Sequence, residues 1–594
     1  LYSICQYDKL TTEVAKRGGV YMGLAPKKLP YGISDYKTIV EDNLYYVDKT
    51  KYIEKLENLH SYYIFFLRPR RFGKTLFTSV LQNYYDIKEK DNFEILFRST
   101  YIGQNPTKER NNYYILKFNF SGLTTDTLEK LEKSFTNIIK ISLDAFQGRY
   151  GIFVDYLKEG SAANIFEDFI TKISYIIDKP VYVIIDEYDH FANELLSFQI
   201  ELFKKTISQT GFVRKWYEVL KKATETVVKR IFATGISPIT LDSLTSGFNI
   251  ADDITRMKDF NEMMGFTESE VKEIIKGTAK FRVSEKELDE LLNILVNYYN
   301  GYMFSEDAEI RLFNSDMILY YLKSYVDTGK APRELIDVNI ASDYGKMGKL
   351  FNLKNKNENM EVLNQIINGE EISASITRQF SMEKDFTKDD FKSLLFYMGL
   401  LTIDKEVLGR VRLKVPNYVI KGLYFEYFLK KLNEDANCKI DADEIQDAIE
   451  QIALEGSNTK FIKLIEDAVS ELSKRDFIKF DEKYIKVLMY AYLRMGTVYS
   501  VKSEYEVKGG YIDIALLKRE PMKPEFYAIF EVKYIRKSDY EKYGQMIVEE
   551  KKNEVMSQIS KYASSEELTA LTNLKKWVVV FAGDQCVVNM EVQE

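Results

Sequence analysis

The sequence predicts an α/β protein whose first half is built on a doubly wound, mainly parallel sheet. Four apolar runs of strand length, rich in β-branched and aromatic residues, support this fold class. They lie at residues 61–67, 113–120, 181–186 and 230–237. Segments with helical spacing separate the runs, which favours parallel strands joined by helical crossovers. Further runs at 511–518, 525–535 and 577–583 also alternate with helices, so a second α/β domain is expected at the C-terminal end.

The region between the two α/β parts is predicted to be mostly helical. Residues from about 260 to 460 carry Leu, Ile and Tyr at intervals of three and four. A chain of 594 residues suggests about three or four domains. The predicted organisation is an N-terminal extension (1–28), an α/β core (29–258), a helical lid (259–335), a helical connector (336–459) and a C-terminal α/β domain (460–594).

The composition is that of a packed globular protein with mixed surface charge. Hydrophobic residues make up 45% of the chain, and 83 basic against 90 acidic side chains give a net charge of -7. A constitutive nucleic-acid binder usually carries a strongly basic domain. Any contact with DNA or RNA must therefore rely on a local groove.

Cysteine and histidine usage excludes several kinds of site. The three cysteines are far apart and odd in number, which favours a reducing compartment without disulfides or a zinc site. His60 and His190 are the only histidines, so a histidine-based triad is not expected. No apolar stretch approaches the ~20 residues needed to span a bilayer. Residues 1–20 lack a signal-peptide core. A cytoplasmic protein without a membrane partner is predicted.

The stretch "FLRPRRFGKT" (66–75) nearly matches the phosphate-binding pattern G-x-x-x-x-G-K-[ST]. Gly73, Lys74 and Thr75 are in place, but Arg68 stands where the first glycine is expected. The motif follows a predicted buried strand and opens a predicted helix, which is the context such a loop requires. The lysine would bridge phosphate oxygens and the threonine hydroxyl would bind Mg²⁺.

Two later strand ends supply the groups that such a site needs. "VYVIIDEYD" ends in Asp186, suited to holding Mg²⁺, and Glu187, suited to deprotonating the attacking water. Asp186 read alone also fits a simple helix cap. Thr234 or Ser237 in "IFATGIS" lies where a γ-phosphate sensor is expected, or is merely a polar residue that ends a strand.

Seven stretches in order resemble the bacterial AAA-ATPase-like family that is often fused to a nuclease. They are "LPYGISDYKTIV", "YYVDKTKYI", "RPRRFGKT", "IIDEYD", "FATGISPI", "GFTESEV" and "YNGYMF", within residues 29 to 330. That family itself writes the loop RPRRFGK. The resemblance implies a P-loop NTPase fold, ATP as ligand and Mg²⁺ bound by Thr75 and Asp186, with Glu187 as catalytic base. The implied nucleotide-binding residues are Arg68, Pro69, Arg70, Arg71, Phe72, Gly73, Lys74, Thr75, Asp186 and Thr234.

Arg70 and Arg71 admit several interpretations. They would face the triphosphate, contact a neighbouring subunit, bind an acidic partner such as DNA, or serve only solubility. Arg230 and Arg256 are unranked candidates for an arginine finger that acts across a subunit boundary.

The C-terminal domain carries two carboxylates and a lysine at spacings suited to metal-assisted phosphodiester hydrolysis. Asp513 lies in "GGYIDIALL" and "FEVKYI" follows, with Glu531 and Lys533 on one strand face and Val532 on the other. The carboxylates would hold one or two Mg²⁺ ions that lower the pKa of a bound water. A surface Glu–Lys pair on an edge strand is the competing interpretation.

The order G-x-x-D, E-x-K, Q-x-x-x-Y resembles the PD-(D/E)xK nuclease superfamily across residues 460–594. The resemblance implies a restriction-endonuclease-like α/β fold. Asp513 and Glu531 would bind Mg²⁺ or Mn²⁺, Lys533 would be catalytic, and Gln558 and Tyr562 would shape the site or grip DNA. Glu482 and Glu504 are candidates for an additional acid. Many relatives follow the helical glutamate with aromatic residues and a histidine, whereas in this chain Ile485 and Lys486 follow Tyr484.

The leading hypothesis is an ATP-binding and ATP-hydrolysing protein coupled to Mg²⁺-dependent cleavage of nucleic acid. DNA is preferred to RNA as substrate, a homo-oligomer is expected, and defence or DNA processing is the expected context. A second hypothesis is a nucleotide-gated scaffold whose nuclease-like domain does not cut. A third is an enzyme in which the P-loop is only structural.

Overall fold

A computed structural model describes most of the chain. The described residues are 27–192, 211–238, 250–278, 284–344, 347–353, 355–380, 386–436, 441–473, 481–562 and 565–592. The predicted N-terminal extension (1–28) lies outside them except for its last two residues. Among the described residues, no helix combines the length and apolar character needed to cross a bilayer.

The N-terminal α/β core contains a five-stranded parallel sheet. Its strands are β1 (Tyr63–Leu67), β2 (Tyr114–Asn119), β3 (Val181–Asp186), β4 (Val228–Gly235) and β5 (Asp252–Asp253). Their order is β2-β3-β4-β1-β5, and every pairing is parallel. The four predicted strands are thereby confirmed. The fifth is two residues long, which is too short to give a periodic signal.

Helices join these strands and pack against them. They are α1 (Tyr36–Glu41), α2 (Lys51–Glu57), α3 (Lys74–Tyr85), α4 (Phe93–Phe97), α5 (Tyr101–Gln104), α6 (Leu128–Tyr150), α7 (Ala162–Ile173) and α8 (Phe212–Ala223), with 3₁₀ turns at Ile87–Asn92 and Lys258–Phe260. Helix α7 shows how the sequence sets a boundary, because the Ser161 hydroxyl accepts a hydrogen bond from the Asn164 amide at its start. The chain thus has the α/β class predicted for this part.

Three helices follow in the predicted lid, and further helices lie in the connector. They are α9 (Glu268–Gly277), α10 (Glu285–Tyr299), α11 (Ser315–Thr328), α12 (Val338–Tyr344), α13 (Met347–Phe351), α14 (Lys356–Ile367), α15 (Lys388–Tyr397), α16 (Tyr418–Ala436) and α17 (Ala442–Glu455). Capping boxes, each pairing an N-cap hydroxyl with an acid three residues on, start α9, α10 and α15.

The connector, which was predicted to be mostly helical, also contains a small sheet within residues 372–414. This stretch contains an antiparallel sheet of β6 (Ile372–Ala374), β7 (Thr402–Val407) and β8 (Arg410–Lys414), in the order β6-β8-β7. Leu408 and Gly409 join β7 to β8 with φ values of 51° and 77°. Such a two-residue turn with positive φ suits the twist of a hairpin. The strands are short and lie between helices, so the alternation of polar and apolar residues along them does not stand out in the sequence.

The C-terminal domain is a mixed sheet with helices on it. Its helices are α18 (Thr459–Ser473), α19 (Glu482–Met495), α20 (Lys537–Tyr543), α21 (Gln545–Tyr562) and α22 (Glu566–Thr569); its strands are β9 (Ser500–Val507), β10 (Gly510–Leu517), β11 (Tyr527–Ile535), β12 (Leu574–Ala582) and β13 (Gln585–Glu591). The order is β13-β12-β11-β10-β9, with β11 and β12 parallel and the other pairs antiparallel. The three strands predicted from apolar runs are all present.

One hydrophobic cluster links all these parts. It runs from Tyr36 in α1 through the connector to Phe530 and Phe581 in the C-terminal sheet. A second cluster covers the other face of that sheet, where Ile529 and Ala515 pack with residues of α21. The C-terminal domain therefore shares one of its faces with the rest of the molecule.

Candidate active sites

The segment 68–73 is a tight loop between a buried strand and a helix. Strand β1 ends at Leu67 and α3 begins at Lys74. Two residues of the loop have positive φ, Arg71 at 68° and Gly73 at 94°. Glycine adopts this conformation without strain, whereas arginine pays a steric cost. The first glycine of the common pattern is missing, and the positive φ lies later in the loop.

Arg68 points into the protein and not into the cleft. Its side chain is buried and donates hydrogen bonds to the carbonyl oxygens of Leu67, Thr255, Phe260 and Asn261, at 2.8 to 3.3 Å. The guanidinium also lies between the Phe66 and Phe304 rings, 4.2 and 4.1 Å from their centroids. Burial lowers the pKa of the guanidinium to about 9, which still leaves it charged at neutral pH. The geometry thus gives this side chain a structural role.

The Lys74 side chain bonds two carbonyl oxygens of its own loop. Its ammonium donates to the carbonyl oxygens of Arg68 at 3.0 Å and Pro69 at 2.9 Å. Burial lowers the pKa of Lys74, while the carboxylates of Glu187 and Asp186 oppose that shift. A buried ammonium with two acids nearby is suited to exchange these carbonyls for phosphate oxygens.

Asp186, at the end of β3, is a buried carboxylate without a hydrogen-bond partner. It is fully buried, and neither of its carboxylate oxygens accepts a hydrogen bond. Burial raises its pKa, and the nearby Thr75 hydroxyl and Lys74 ammonium oppose this effect. An orphaned buried carboxylate beside the Thr75 hydroxyl is the donor set that Mg²⁺ prefers. These residues therefore fit the metal that the motif implies.

Glu187 is held by His190. The Nδ1 atom of His190 lies 3.1 Å from Glu187 Oε2. This hydrogen bond is the main cause of a lowered pKa for Glu187. The backbone of Glu187 is strained, with φ at 54°, which is uncommon for a residue other than glycine. Both side chains line the same cleft as Lys74.

Thr234 and Ser237, the two sensor candidates, both make hydrogen bonds within the protein. The Thr234 hydroxyl donates to the Phe66 carbonyl oxygen at 2.8 Å and does not line the cleft. Asp189 accepts hydrogen bonds from the amides of Ile236 and Ser237, at 3.1 and 2.7 Å. Sequence reasoning missed Asp189, although it follows Glu187 in the motif "DEYD". It fixes the end of β4 beside the end of β3.

The cleft beside the loop has a volume of about 430 Å³. Its floor is formed by residues 70–77 and by Glu187 and His190; Arg68, Pro69, Asp186 and Thr234 are not among its lining residues. The opposite wall is largely apolar, and sequence reasoning did not assign it. It includes Pro30, Ile33, Tyr45, Val47, Met263, Met264, Phe266, Ile274 and Leu319. The cleft is thus lined by both polar and apolar residues.

The lid is bonded to the loop itself. The amide of Gly265 donates to the Phe72 carbonyl oxygen at 3.1 Å, and the amide of Asp316 donates to that of Arg71 at 3.3 Å. Arg71 also lies 3.7 Å from the Asp316 carboxylate. A movement of the lid would therefore be transmitted directly to the loop.

Neither candidate for an arginine finger extends freely into solvent. Arg256 pairs with the Glu306 carboxylate at 2.6 Å. Arg230 is buried, lies 3.8 Å from Glu109 and donates to the Tyr113 hydroxyl at 3.3 Å. These interactions within one chain account for both side chains.

The structure brings Asp513 and Glu531 together on adjacent strands. The Asp513 amide donates to Glu531 Oε1 at 3.3 Å, and the Val532 amide donates to Asp513 Oδ2 at 2.8 Å. Both side chains are buried. Burial raises the pKa of Glu531 to about 8, and the neighbouring Asp513 adds to this effect. Two buried carboxyl groups on adjacent strands are a set of oxygen ligands that fits a divalent cation.

Two lysines and a further acid complete this cluster. Lys533 Nζ lies 3.2 Å from Glu482 Oε1 and 3.8 Å from Glu554 Oε1. Lys486 Nζ lies 2.6 Å from Asp513 Oδ1 and 2.8 Å from Glu482 Oε1. Glu482 and Lys533, both predicted from the sequence, thus lie close together. Lys486 was noted only as a departure from the family pattern.

The other predicted residues are placed differently. The Tyr562 hydroxyl donates to Glu531 Oε1 at 2.5 Å, so Tyr562 contacts the site directly. Gln558 lies one turn earlier on α21, and its buried Oε1 has no hydrogen-bond partner. Glu504 is exposed on β9, with φ at 51°. Within the described part of the chain, no three His, Cys, Asp or Glu side chains gather as ligands for one metal ion.

The described residues thus contain a phosphate-type loop on a parallel sheet and a carboxylate–lysine cluster on a mixed sheet. In a comparison with protein families, residues 30–245 match the family described as "Predicted AAA-ATPase", and residues 480–591 match the "PD-(D/E)XK nuclease superfamily". Both resemblances drawn from the motifs are thereby confirmed.

Similarity to individual proteins is more distant. The chain is 26% identical over 505 residues to "Uncharacterized protein in vnfD 5'region" of Azotobacter chroococcum mcd 1, covering 83% of this chain and 88% of that protein. A crystal structure of Cdc6p from Pyrobaculum aerophilum aligns with 69% of this chain and 97% of its own, at 10% identity. Its TM-score is 0.24, and a similarity at that level carries no argument about this fold.

Proposed function

We propose that the N-terminal site binds and hydrolyses ATP with Mg²⁺. The observation that carries this proposal is the buried, unpartnered carboxylate of Asp186 beside the loop that holds Lys74 and Thr75. The apolar wall of the cleft suits the adenine ring, and the loop end suits the phosphates. Gly73 at the start of α3 would let backbone amides approach them closely.

The side chains divide the chemistry between them. Lys74 would leave the carbonyls of Arg68 and Pro69 to bind phosphate oxygens, while Thr75 and Asp186 would hold Mg²⁺. The bound metal neutralises charge on the phosphates. Glu187, kept ionised by His190, would orient a water molecule and remove its proton. Arg70 lines the cleft and would contact the triphosphate.

Purified protein tests this assignment through ATP binding and phosphate release. Lys74→Ala should lose both, whereas Glu187→Gln should bind ATP and fail to hydrolyse it. Lys51→Ala, at an exposed position on α2, is the matched control. Phosphate release by Lys74→Ala at the wild-type rate would mean that the P-loop is only structural.

The C-terminal site is assigned to metal-dependent cleavage of nucleic-acid phosphodiesters, with DNA as the preferred substrate. The buried pair of Asp513 and Glu531 supports it. These two residues would hold Mg²⁺ or Mn²⁺, which lowers the pKa of a bound water. Lys533 would stabilise charge that develops on the phosphate, and Tyr562 orients Glu531.

Plasmid DNA and a matching RNA, each with Mg²⁺ or Mn²⁺, test this assignment. Asp513→Ala and Lys533→Ala should abolish cleavage, and Lys537→Ala, at an exposed position of the same domain, should retain it. Equal cleavage by wild type and both site variants would point to a contaminating nuclease. If only the RNA is cleaved, then RNA and not DNA is the substrate.

Contacts through the connector support coupling between the two sites. Gly399 packs so closely on Pro69 that an added Cβ would lie 2.9 Å from the proline ring. Further along the connector, the Tyr418 hydroxyl accepts a hydrogen bond from the Val501 amide at 3.0 Å. The loop and the C-terminal sheet therefore touch the same connector. We assign to ATP binding a role in activating the nuclease site. The homo-oligomer, the cytoplasmic location and the role in defence or DNA processing stay predictions.

A nucleotide-gated scaffold with an inactive nuclease-like domain is the second candidate. One observation favours it: Lys486 already neutralises Asp513 and Glu482, where a metal would otherwise act. The cleavage assay separates the two functions, because the scaffold would bind ATP and leave both nucleic acids intact.

A further inference from the structure

We propose that the Lys486 ammonium occupies the C-terminal metal site as a resident cation. A divalent metal must displace this ammonium before it can bind Asp513. The inference rests on the metal site proposed above and adds to it a regulator within the same chain. Lys486 stands on α19, outside the acid–acid–lysine set that the sequence motif defines.

The distances place the Lys486 ammonium between two carboxylates. Nζ lies 2.6 Å from Asp513 Oδ1 and 2.8 Å from Glu482 Oε1. The second pair lies one turn apart on α19, so the helix itself positions the lysine beside Glu482. The side chain retains 19% exposure, whereas that of Asp513 retains 9%. The lysine therefore has a route to solvent that the aspartate lacks.

Both carboxylate oxygens of Asp513 already have a positively polarised partner in this arrangement. Oδ1 is bonded to Lys486, and Oδ2 accepts the Val532 amide at 2.8 Å. The amide is part of the sheet and stays in place. A metal that binds Asp513 at Oδ1 must therefore compete with the ammonium that already lies there.

Charge reinforces this competition. The Lys486 ammonium lies 2.6 Å from Asp513 Oδ1, so a divalent cation at the same oxygen would meet strong repulsion at short range. The free energy needed to break both ion pairs of Lys486 therefore weakens metal binding.

Withdrawal of Lys486 would also provide a group that binds substrate. A displaced ammonium on a flexible stem beside the metal is well suited to contact a phosphate oxygen of the nucleic-acid backbone. Metal and nucleic acid would then bind cooperatively, because the phosphate offers Lys486 the negative charge that it loses at Asp513. Without nucleic acid the site would hold metal weakly.

Mn²⁺ binding to the full-length protein, free of nucleotide, tests the inference by electron paramagnetic resonance titration. Binding that is lost in Asp513→Asn is counted as the C-terminal site. Lys486→Met should bind Mn²⁺ at this site at least ~10-fold more tightly than wild type, because both carboxylates are released. Lys486→Arg, which keeps the charge, should bind like wild type. Lys483→Met, half-exposed on the same helix, is the control and should also bind like wild type.

Thermal unfolding supplies a second measurement if Lys486→Met is less stable. Mn²⁺ should raise the Tm of Lys486→Met more than that of wild type, and Lys486→Gln should behave like Lys486→Met. Equal or weaker Mn²⁺ binding by both neutral variants, with binding still lost in Asp513→Asn, would overturn the inference and leave the metal site intact. If no variant shows Mn²⁺ binding that depends on Asp513, the proposed metal site fails, and the inference fails with it.

Discussion

His190 Nδ1 lies 3.1 Å from Glu187 Oε2, so one of only two histidines in the chain is paired with the proposed catalytic base. This contact lowers the pKa of Glu187 and thereby favours its ionised carboxylate. It also fixes a side chain whose own backbone is strained. His190 is thereby a positioning residue for the water-activating group.

Replacing His190 with Ala should make ATP hydrolysis more sensitive to acid. Without the hydrogen bond, the pKa of Glu187 rises towards its ordinary value, so the base is protonated at a higher pH. The acidic limb of the rate profile should move to higher pH. Steady-state phosphate release between pH 4.5 and 8 measures the shift. His60→Ala, at an exposed position, is the control, and identical profiles for wild type and His190→Ala would contradict the positioning role.

Replacing Arg68 with Gly should destabilise the protein, even though it restores the common phosphate-loop pattern. The change removes a guanidinium that bonds four backbone carbonyls and stacks between two rings. A loss of at least ~3 kcal/mol in the free energy of unfolding is expected. Urea denaturation measures it. Arg70→Gly, on the same loop, should weaken ATP binding without a comparable loss; a fully stable Arg68→Gly would remove the structural role of Arg68.

Replacing Asp186 with Asn should stabilise the nucleotide-free protein and abolish ATP hydrolysis. Burial raises the pKa of Asp186, so the ionised form is disfavoured in the folded state at neutral pH. A neutral amide of the same size carries no buried charge and should therefore raise the free energy of unfolding. Asn119→Asp, exposed at the end of the neighbouring strand, is a control for a charge change on this edge of the sheet. A less stable Asp186→Asn with normal hydrolysis would contradict both expectations.

Replacing Lys421 with Met should stabilise the contact between connector and C-terminal domain. Burial lowers the pKa of Lys421 to about 8, with Arg494 and Lys502 adding repulsion. Since the unfolded lysine has a pKa near ~10.4, the folded state binds fewer protons between these values, and wild-type stability should rise from pH 8 to 10. Lys421→Met should lose that rise and be more stable at pH 7 by on the order of 2 kcal/mol.

Chemical denaturation of wild type and Lys421→Met at pH 7, 8, 9 and 10 measures this effect. Lys430→Met, exposed on the same helix, should keep the wild-type dependence on pH. Loss of the Lys421 hydrogen bond to Ser503, 3.1 Å long, works against the gain. A Lys421→Met protein less stable than wild type at pH 7 would show that this bond outweighs the burial of charge.

The sequence was sufficient for the features that depend on local pattern. Buried parallel strands are continuous apolar runs, so β1 to β4 were predictable, and Asp186 and Glu187 followed because they end one of those runs. Alternation along a strand placed Glu531 and Lys533 on one face. Their contacts with Tyr562 and Glu554 on α21, together with Val532 in the cluster on the opposite face, confirm that alternation.

The features that depend on distant contacts were not predictable. Arg68 bonds carbonyls almost two hundred residues away, at Thr255 and Phe260, and no local pattern reports such partners. The apolar wall of the cleft combines residues near 30–47 with residues near 263–319, each of which looks like ordinary core. The position of Lys486 could be seen in the sequence, but its pairing with Asp513 depends on how α19 packs on the sheet.

The hydrophobic cluster that runs from Tyr36 to Phe581 has a thermodynamic consequence. Because the ATPase core, the connector and one face of the C-terminal sheet share this cluster, they should unfold as one cooperative unit in calorimetry. A nucleotide that stabilises the cleft would then slow amide hydrogen exchange in β10 and β11, far from any atom it touches. The rate of amide exchange in the strand that carries Asp513 would therefore depend on whether a nucleotide is bound beside Lys74.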